Sequence, residues 1–381
     1  MKNIWRHLGV PMLLVLAPAA AAQERDGDTA GPFVTSPVML DSKSGSVTVS
    51  WIERGPDVTV RQGQEVQTNF PLQVHMTTFS HLKPGTTYSY KAGSVGGGTF
   101  KTSPRESQPF EFLIYAESRN GAVVNTIEQQ DKTIGDDVHS QVIAAMSREN
   151  PDFVMHLGDA VQTGSDQQQW FDFFRIGAPL FRKTNLALVY GNHEANAPLV
   201  HELFNQPKTY YSFDWGRSHF IVLDSEYDRI RLPQAGKSTD AEQEALWQEQ
   251  MTWLKQELEA NKGAENVFVA FHLPAFTATA YKRRDRSFRI QKEWVPLFEQ
   301  YGAIVLNGHE HNYQRHENKG VHYFVAGSAG ASLEKVDWPI PGVTKRALAQ
   351  FSYVKFKVDG RRVSMAAFDL KGKKIDEAVI R

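Results

Sequence analysis

The chain contains no cysteine among its 381 residues. Disulfides, thiolate metal sites and lipid attachment through cysteine are therefore excluded. An excess of either charge is also lacking, because 42 lysines and arginines stand against 43 aspartates and glutamates. A chain this close to neutral has no overall attraction to nucleic acid or to a membrane surface. No apolar run reaches the length of a membrane span, so we expect no membrane-crossing segment, and nothing in the composition indicates an oligomeric state.

The N-terminus has the pattern of an export signal. Basic residues precede a short apolar stretch over 8–18, and a run of small residues ends at Ala22. This order predicts a signal peptide over 1–22, cleaved after Ala22, and a periplasmic or secreted protein. The alternative is an uncleaved N-terminal anchor. The polar residues 23–32 predict a flexible start to the mature chain.

The first third of the chain has the pattern of an all-β domain. Short alternating strands separated by turn residues predict a small β-sandwich over residues 33–103. Within it, LKPGTTYSY (82–90) resembles the corner of fibronectin type III domains, in which a tyrosine ties strands together. That tyrosine would be Tyr88, and the alternative is a hairpin in another kind of sandwich. A polar, proline-containing linker follows over 104–109.

From residue 110 to 381 apolar strands alternate with helical patterns, which predicts an α/β domain. Residues 136–150 and 240–260 have the pattern of amphipathic helices, and 210–226 and 351–370 that of hairpins. In the helix over 240–260 we expect these side chains to form the apolar stripe that faces the core: Ala245, Leu246, Met251, Trp253, Leu254 and Leu258.

Four short polar motifs in this domain each follow an apolar run directly. The motifs are HLGDA (156–160), YGNHE (190–194), FHLP (271–274) and GHEHNYQR (308–315). The runs have the length and composition of buried strands, and ligands collect at the carboxyl ends of such strands. We therefore expect one rim of the sheet to carry Asp159, Asn192, His193, His272, His309 and His311.

This assortment of carboxylate, amide oxygen and imidazole suits divalent ions such as Mn, Fe, Zn or Co. Two such ions about 3.5–4 Å apart lower the pKa of a bridging water and generate hydroxide near neutral pH. The sequence therefore predicts a hydrolase with two divalent metal ions.

The four motifs in this order resemble those of the calcineurin-like metallophosphoesterases. With the β-sandwich in front, residues 33–370 resemble the purple acid phosphatase branch of that superfamily. The resemblance implies two packed β-sheets flanked by helices. It also implies a small phosphate ester as the substrate, most simply a phosphomonoester. A phosphodiesterase with the same metal site remains the enzymatic alternative.

The resemblance also assigns roles to the site residues. Asp159 would bridge both ions, and His311 would bind the first. The second ion would be completed by Asn192, His272 and His309. His193 would bind no metal but would donate a hydrogen bond or a proton to the phosphoryl group. Glu194 would orient it.

Two positions depart from the family pattern. The first motif of the family has an aspartate where this chain has Glu117, which we expect to bind the first ion through the same type of ligand. The tyrosine that gives purple enzymes their colour would fall at Gln162, so the protein should not be purple. A degenerate phosphate- or metal-binding protein is therefore a non-catalytic alternative.

Two basic features could bind a phosphate group. Arg119 follows the first motif directly, and a guanidinium matches phosphate oxygens with two parallel hydrogen bonds. The alternative for Arg119 is a solvent-facing loop residue. The run YKRRDRSFR (281–289) could overhang the site, although such a run is more often a solvated face.

Overall fold

The structure is a computed structural model that describes residues 36–38, 45–54, 58–62, 65–69, 72–92, 96–119, 135–194, 197–226, 231–232, 236–237, 239–279 and 285–381. The signal peptide predicted over 1–22 and the flexible start predicted over 23–32 lie outside the described residues. In the part of the chain that is described, no helix combines the length and the apolar composition that crossing a bilayer requires.

The N-terminal region consists of β-strands, as the alternating sequence predicts. The strands are β1 (Ser36–Val38), β2 (Val47–Arg54), β3 (Val58–Gln62), β4 (Glu65–Asn69), β5 (Leu72–Phe79), β6 (Thr87–Ala92) and β7 (Gly96–Lys101). They pair in the orders β1-β2-β5, β3-β4 and β6-β7. The Tyr88 hydroxyl accepts a hydrogen bond from the Lys83 N–H at 2.8 Å, five residues earlier in the turn before β6, and the predicted tie between strands stays a prediction. The likeness to fibronectin type III domains stays a prediction.

The α/β region contains the helices α1 (Asp136–Met146), α2 (Gln167–Phe181), α3 (Pro198–Phe204), α4 (Asp240–Ala260), α5 (Asp285–Glu293) and α6 (Val295–Tyr301). Its strands are β8 (Phe110–Tyr115), β9 (Phe153–His156), β10 (Asn185–Leu188), β11 (Tyr211–Trp215), β12 (Ser218–Val222), β13 (Arg231–Leu232), β14 (Gly236–Lys237), β15 (Asn266–Ala270), β16 (Ile304–Asn307), β17 (Tyr313–Asn318), β18 (Val321–Ala326), β19 (Thr344–Leu348), β20 (Ser352–Asp359), β21 (Arg362–Asp369) and β22 (Lys374–Val379).

These strands form two large sheets, with the orders β10-β9-β8-β20-β21-β22 and β11-β12-β15-β16-β18-β17-β19. Strands β8, β9 and β10 run parallel in the first sheet, and β12, β15, β16 and β18 run parallel in the second. Phe112 of the first sheet meets Phe220 and Phe268 of the second edge-to-face, at ring-centroid distances of 5.4 and 5.2 Å. The two sheets therefore pack face to face, as expected.

Helices cover the outer faces of both sheets. Trp170 and Phe174 of α2 pack in one buried cluster with strands of the first sheet, and Leu254 of α4 and Phe298 of α6 pack in another with the second. Helix α4 begins at a capping box, in which the Thr239 side chain and the Glu242 carboxylate each bond the other's backbone N–H.

The structure corrects several details of the sequence prediction. In α4 the buried face includes Trp247, whereas Ala245 is exposed and Leu246 and Trp253 are only half-buried. Helix α1 ends at Met146, four residues before the predicted end. Strand β22, which the sequence did not indicate, extends the first sheet beyond β21.

The β region lies directly against the α/β region. The Thr99 N–H donates to the Arg182 carbonyl at 2.8 Å, and the Asn185 side chain donates to the Lys101 carbonyl at 2.9 Å. Residues 104–109 form neither a helix nor a strand, and a linker there stays a prediction. The domain limits at 33–103 and 110–381 stay predictions.

Candidate metal centre

All the predicted site residues follow parallel strands at their carboxyl ends. Strand β8 leads to Glu117, β9 to Asp159 and β10 to Asn192–Glu194 in the first sheet. Strand β15 leads to His272, and β16 leads to His309 and His311, in the second sheet. Because the two sheets pack face to face, their carboxyl ends meet at one edge of the molecule. The site therefore lies across the two sheets rather than on a single one.

Three of these residues have left-handed backbone conformations although they are not glycine. Their φ angles are 61° for Glu117, 57° for Asp159 and 68° for His309. Each lies just beyond the end of its strand, where the chain must turn sharply. This turn directs each side chain across the end of the sheets.

The glycines of the motifs allow the strand-end loops to approach each other closely. A Cβ atom at Gly191 would lie 2.2 Å from Oδ1 of Asp159, and one at Gly308 would lie 2.5 Å from the Leu157 carbonyl oxygen. No side chain fits at either distance. The GD, GNHE and GH motifs therefore need glycine for space.

His272 and His309 lie beside Asp159, and we call these two residues, together with Asn192 of the loop after β10, the histidine half. His272 Nε2 is 3.4 Å from Asp159 Oδ1, and His309 Nδ1 is 3.3 Å from the same His272 nitrogen. His272 Nδ1 donates to the Leu157 carbonyl at 2.8 Å, which turns Nε2 toward the centre. Asn192 Oδ1 is buried and accepts no hydrogen bond from the described residues. These are the donor atoms that a divalent ion binds.

Glu117, Gln162 and His311 contact Arg119, and we call these four residues the arginine half. It adjoins the histidine half, because Glu117 Oε1 lies 3.6 Å from His272 Nε2. His311 Nε2 is 3.2 Å from Glu117 Oε2. His311 Nδ1 donates to the Ser332 carbonyl at 2.8 Å, so Nε2 faces inward. The guanidinium of Arg119 lies among these groups, with Nε 3.3 Å from Glu117 Oε2 and Nη2 3.1 Å from His311 Nε2. Nη1 donates to the side-chain oxygen of Gln162.

The buried carboxylates create a demand for positive charge. Glu117, Asp159 and His272 are all buried, and each offers a ligand atom within 4.8 Å of the other two. Burial by itself lowers the pKa of His272, but the carboxylates of Asp159 and Glu117 outweigh it and raise this pKa to about 10. For Asp159, burial by itself raises the pKa of the carboxyl group. The positive charges of His272, His193 and Arg119 outweigh burial and hold this pKa well below its usual range. The cluster therefore favours a cation between its carboxylates.

His193 reaches the centre from the Asp159 side. Its Nε2 is 3.8 Å from Asp159 Oδ2, and about a fifth of its side chain (22%) is exposed. Its backbone N–H donates to Asp159 Oδ1 at 2.9 Å, and its Nδ1 donates to the Gln162 carbonyl at 2.8 Å. The imidazole is thus fixed with Nε2 toward the site and accessible to a substrate.

The structure corrects the predicted role of Glu194, which does not orient the His193 ring. Its carboxylate accepts hydrogen bonds from the N–H groups of Gly191, Asp159 and Ala160, at 2.7, 2.9 and 2.8 Å. Burial and the charge of Asp159 raise its pKa to about 7. Glu194 therefore holds the strand-end loops of β9 and β10 together, and the Gln162 carbonyl orients His193.

Two contacts at the site could not be found from the motifs. Glu334 accepts a hydrogen bond from the His311 N–H at 3.1 Å, although it lies 23 residues further along the chain. The Gln162 carbonyl contact depends on the fold of the loop after β9, and no side-chain pattern signals it.

In the basic run, residues 281–284 lie outside the described residues. Arg289 packs over the Trp247 ring at 4.4 Å and pairs with Glu244 and Glu293.

Comparisons with known proteins agree with this arrangement. Residues 134–313 match the model of the calcineurin-like phosphoesterase family. Purple acid phosphatase 22 of Arabidopsis thaliana is 26% identical over 264 residues, which cover 64% of this chain and 54% of that protein. An uncharacterized protein of Mycobacterium tuberculosis is 26% identical over 284 residues, 67% of this chain and 53% of that protein. Probable inactive purple acid phosphatase 1 of A. thaliana is 22% identical over 323 residues, 69% of this chain and 50% of that protein. The match thus spans about half the length of each of these relatives.

Solved structures support the same fold. The purple acid phosphatase PPD1 from yellow lupin (Lupinus luteus) seeds superposes with a TM-score of 0.65 at 16% identity, covering 91% of this chain and 73% of that one. PhoD superposes with a TM-score of 0.61 at 14% identity, covering 92% of this chain and 94% of that one. The strand-end motifs and the paired sheets agree with these matches: residues 134–313 are similar to the calcineurin-like phosphoesterase family, and the chain as a whole is similar to purple acid phosphatases.

Proposed function

We propose that this protein hydrolyses phosphate esters, in the first place phosphomonoesters, with the help of a divalent metal ion bound at Asp159. The observation that carries the proposal is the histidine half. There the Asp159 carboxylate and the imidazoles of His272 and His309 come together, and the loop after β10 carries the buried, unbonded Oδ1 of Asn192. Such a set of oxygen and nitrogen donors fits Mn, Fe, Zn or Co. The sequence motifs predict a second ion held by Glu117, Asp159 and His311.

When bound, a divalent ion supplies positive charge to the phosphoryl oxygens and increases the acidity of water. The protein positions its own groups around that chemistry. Asp159, His272 and Asn192 would hold the ion, and the Leu157 carbonyl keeps His272 in the orientation that presents Nε2. The glycines of the motifs keep the loops close enough for these donors to converge.

His193 is the residue best placed to protonate the leaving oxygen. Its Nδ1–H is held by the Gln162 carbonyl, so in the imidazolium form the proton free for transfer is on Nε2. That nitrogen faces the centre and is accessible from solvent. An imidazole suits this role because its ordinary pKa lies near neutrality. Arg119 would bind the non-bridging phosphoryl oxygens.

The proposal is tested by loading the purified protein with each candidate ion and measuring hydrolysis of an aryl phosphate and of the bis-aryl diester. We expect ion-dependent turnover of the monoester in the wild type and none in Asp159→Asn. Faster turnover of the diester would favour the phosphodiesterase alternative. No turnover with any ion would contradict the proposal.

A second candidate is a phosphate- or metal-binding protein without catalysis. The observation in its favour is that a guanidinium, the Arg119 side chain, fills the arginine half. The presence of relatives with "probable inactive" in their names also supports it. Binding of an ion and of inorganic phosphate without turnover of any ester would support this candidate over the hydrolase.

We also propose that the protein is exported to the periplasm or secreted. The support is the N-terminal order of basic, apolar and small residues. The test is to express the full chain and determine the N-terminal sequence of the mature protein. A start at Gln23 is expected, and an intact Met1 start would contradict cleavage.

A further inference from the structure

The guanidinium of Arg119 is surrounded by hydrogen-bond acceptors of the centre. Nε lies 3.3 Å from Glu117 Oε2 and 3.6 Å from Asp159 Oδ2. Nη2 lies 3.1 Å from His311 Nε2, and Nη1 donates to the Gln162 side-chain oxygen. Only 12% of the Arg119 side chain is exposed. These acceptors come from the loops after β8, β9 and β16, so the cation lies where those loops meet.

We propose that the Arg119 guanidinium takes the place of a second metal ion, so that the centre holds one resident ion, in the histidine half, beside a fixed organic cation. The inference rests on the proposed function for that resident ion. It departs from the two-ion prediction of the sequence analysis and gives Arg119 a role as part of the centre itself.

Arg119 and a second metal ion would compete for the same atoms. A metal ion in the arginine half would bind Glu117 Oε2, Asp159 Oδ2 and His311 Nε2, at about 2.0–2.2 Å from each. Arg119 Nε and Nη2 already lie within 3.1–3.6 Å of these three atoms. An ion at that point would collide with the guanidinium, so the two occupants exclude each other.

Charge also disfavours a second ion. An arginine keeps its positive charge at every physiological pH, so it cannot make way by losing a proton. The carboxylates of Glu117 and Asp159 carry two negative charges, against three positive charges from Arg119 and one divalent ion. A second divalent ion would raise the excess from one positive charge to three, in a site with little access to water. Gln162 adds only a neutral oxygen to the arginine half.

The guanidinium can also stabilise negative charge on a phosphoryl group, as a second metal ion would. Its planar N–H groups match phosphoryl oxygens in pairs and stabilise charge that develops on them. Arg119 also donates to the side chain of Gln162, and the backbone carbonyl of Gln162 fixes His193. Arg119 therefore joins the phosphate-binding side of the centre to the proton donor.

The experiment counts bound ions. Wild type, Arg119→Met, Arg119→Lys and the control Arg175→Met are saturated with Mn²⁺, and the bound ions are counted by elemental analysis. Electron paramagnetic resonance then distinguishes an isolated Mn²⁺ from an exchange-coupled pair. Arg119→Met keeps the length of the side chain but removes its charge. Arg175 is a half-exposed arginine that pairs with Asp172 on the surface of α2.

We expect one isolated ion per chain in the wild type, Arg119→Lys and Arg175→Met, and a coupled pair in Arg119→Met. A coupled pair in the wild type would overturn this inference but leave the proposed function intact. A single ion in Arg119→Met, with its circular dichroism unchanged, would also overturn it. Absence of any bound ion in the wild type would contradict the proposed function as well.

Discussion

The two halves of the centre share a backbone design and differ in what their donor atoms contact. In both halves a buried strand ends in a residue with a left-handed backbone, such as His309 in the histidine half and Glu117 in the arginine half. In the histidine half the Asn192 oxygen remains unbonded by the described residues. In the arginine half Glu117 and His311 contact Arg119.

This difference shows that backbone geometry and site chemistry are separable. The strand-end turns place donors at the same edge whatever the side chains are. One residue, Arg119, then decides whether the donors of a half are open to an ion. Two centres with the same motifs can therefore hold different numbers of metal ions.

The largest effect is expected at the residue that both halves share. Asp159→Ala removes the carboxylate between His272 and Arg119. We expect loss of bound ion and a fall in phosphatase activity of more than about 10⁴-fold, beyond what the loss of a proton donor alone produces. Elemental analysis and initial rates measure both, with Asp172→Ala on α2 as the control. One bound ion per chain in Asp159→Ala would show that Asp159 is not needed to hold the ion.

The next effect concerns the proton donor, which belongs to neither half. His193→Ala should slow turnover by about 10²–10⁴-fold, the usual contribution of general acid–base catalysis. Bound ion should remain, because the other donors are untouched. Rates for esters with good and poor leaving groups sharpen the test, since a good leaving group needs no proton. An equal loss for both kinds of ester would argue against the assigned role.

The halves themselves can be compared by removing one donor from each. Asn192→Ala should weaken ion binding by more than about 100-fold, because it removes a direct donor. Glu117→Ala should weaken it by about 10–100-fold, as loss of a neighbouring partner does. Isothermal titration with Mn²⁺ gives both affinities. The opposite ranking would place the resident ion in the arginine half.

The smallest effect is expected at a histidine outside both halves. His219 lies between two carboxylates, with Nδ1 2.6 Å from Asp214 Oδ1 and Nε2 3.2 Å from Glu257 Oε1. Burial by itself lowers its pKa, but the hydrogen bonds to Asp214 and Glu257 outweigh it and raise the pKa. The charged histidine therefore stabilises the fold fully below the unfolded pKa of about 6.5, and this stability is lost as pH rises through the folded pKa.

His219→Gln should accordingly lower the free energy of unfolding by about 1–3 kcal/mol at pH 6, the range for a hydrogen bond to a charged group, and by less at higher pH. Urea unfolding at several pH values measures the difference. Ion affinity should not change. A change in ion affinity would mean that stability near β12 is coupled to ion binding at the centre. Differences in affinity between variants of the two halves would then include this effect.

The elements that carry the site could be predicted because their signals are local. Short buried runs before Asp159, Asn192, His272 and His309 are strands in the structure, as their apolar composition indicates. The sequence predicts less well which helix face is buried. In α4 the buried face includes Trp247 rather than Ala245, because the Trp247 ring stacks on Trp294 and its N–H donates to Glu293 of α5.

Contacts between distant loops could not be predicted. Arg119 was a candidate phosphate clamp in the sequence, but its position among Glu117, Gln162 and His311 depends on how three loops meet. The family resemblance assigns Glu194 to the orientation of its neighbour His193, whereas its carboxylate turns back toward the N–H groups after β9. Adjacency in sequence does not determine where a side chain points when the backbone turns sharply.

The left-handed backbone at Glu117, Asp159 and His309 has a consequence for stability. A non-glycine residue in such a conformation costs about 1–3 kcal/mol, which the surrounding packing must supply. Glycine relieves this strain but adds about 0.5–1 kcal/mol of chain entropy to be lost on folding. Replacement of Glu117 by glycine would also remove the buried carboxylate that pairs with Arg119 and His311, a loss of about 3–5 kcal/mol, so the melting temperature in calorimetry should fall rather than rise. The ion pairs at the centre therefore stabilise a turn that the backbone alone would disfavour.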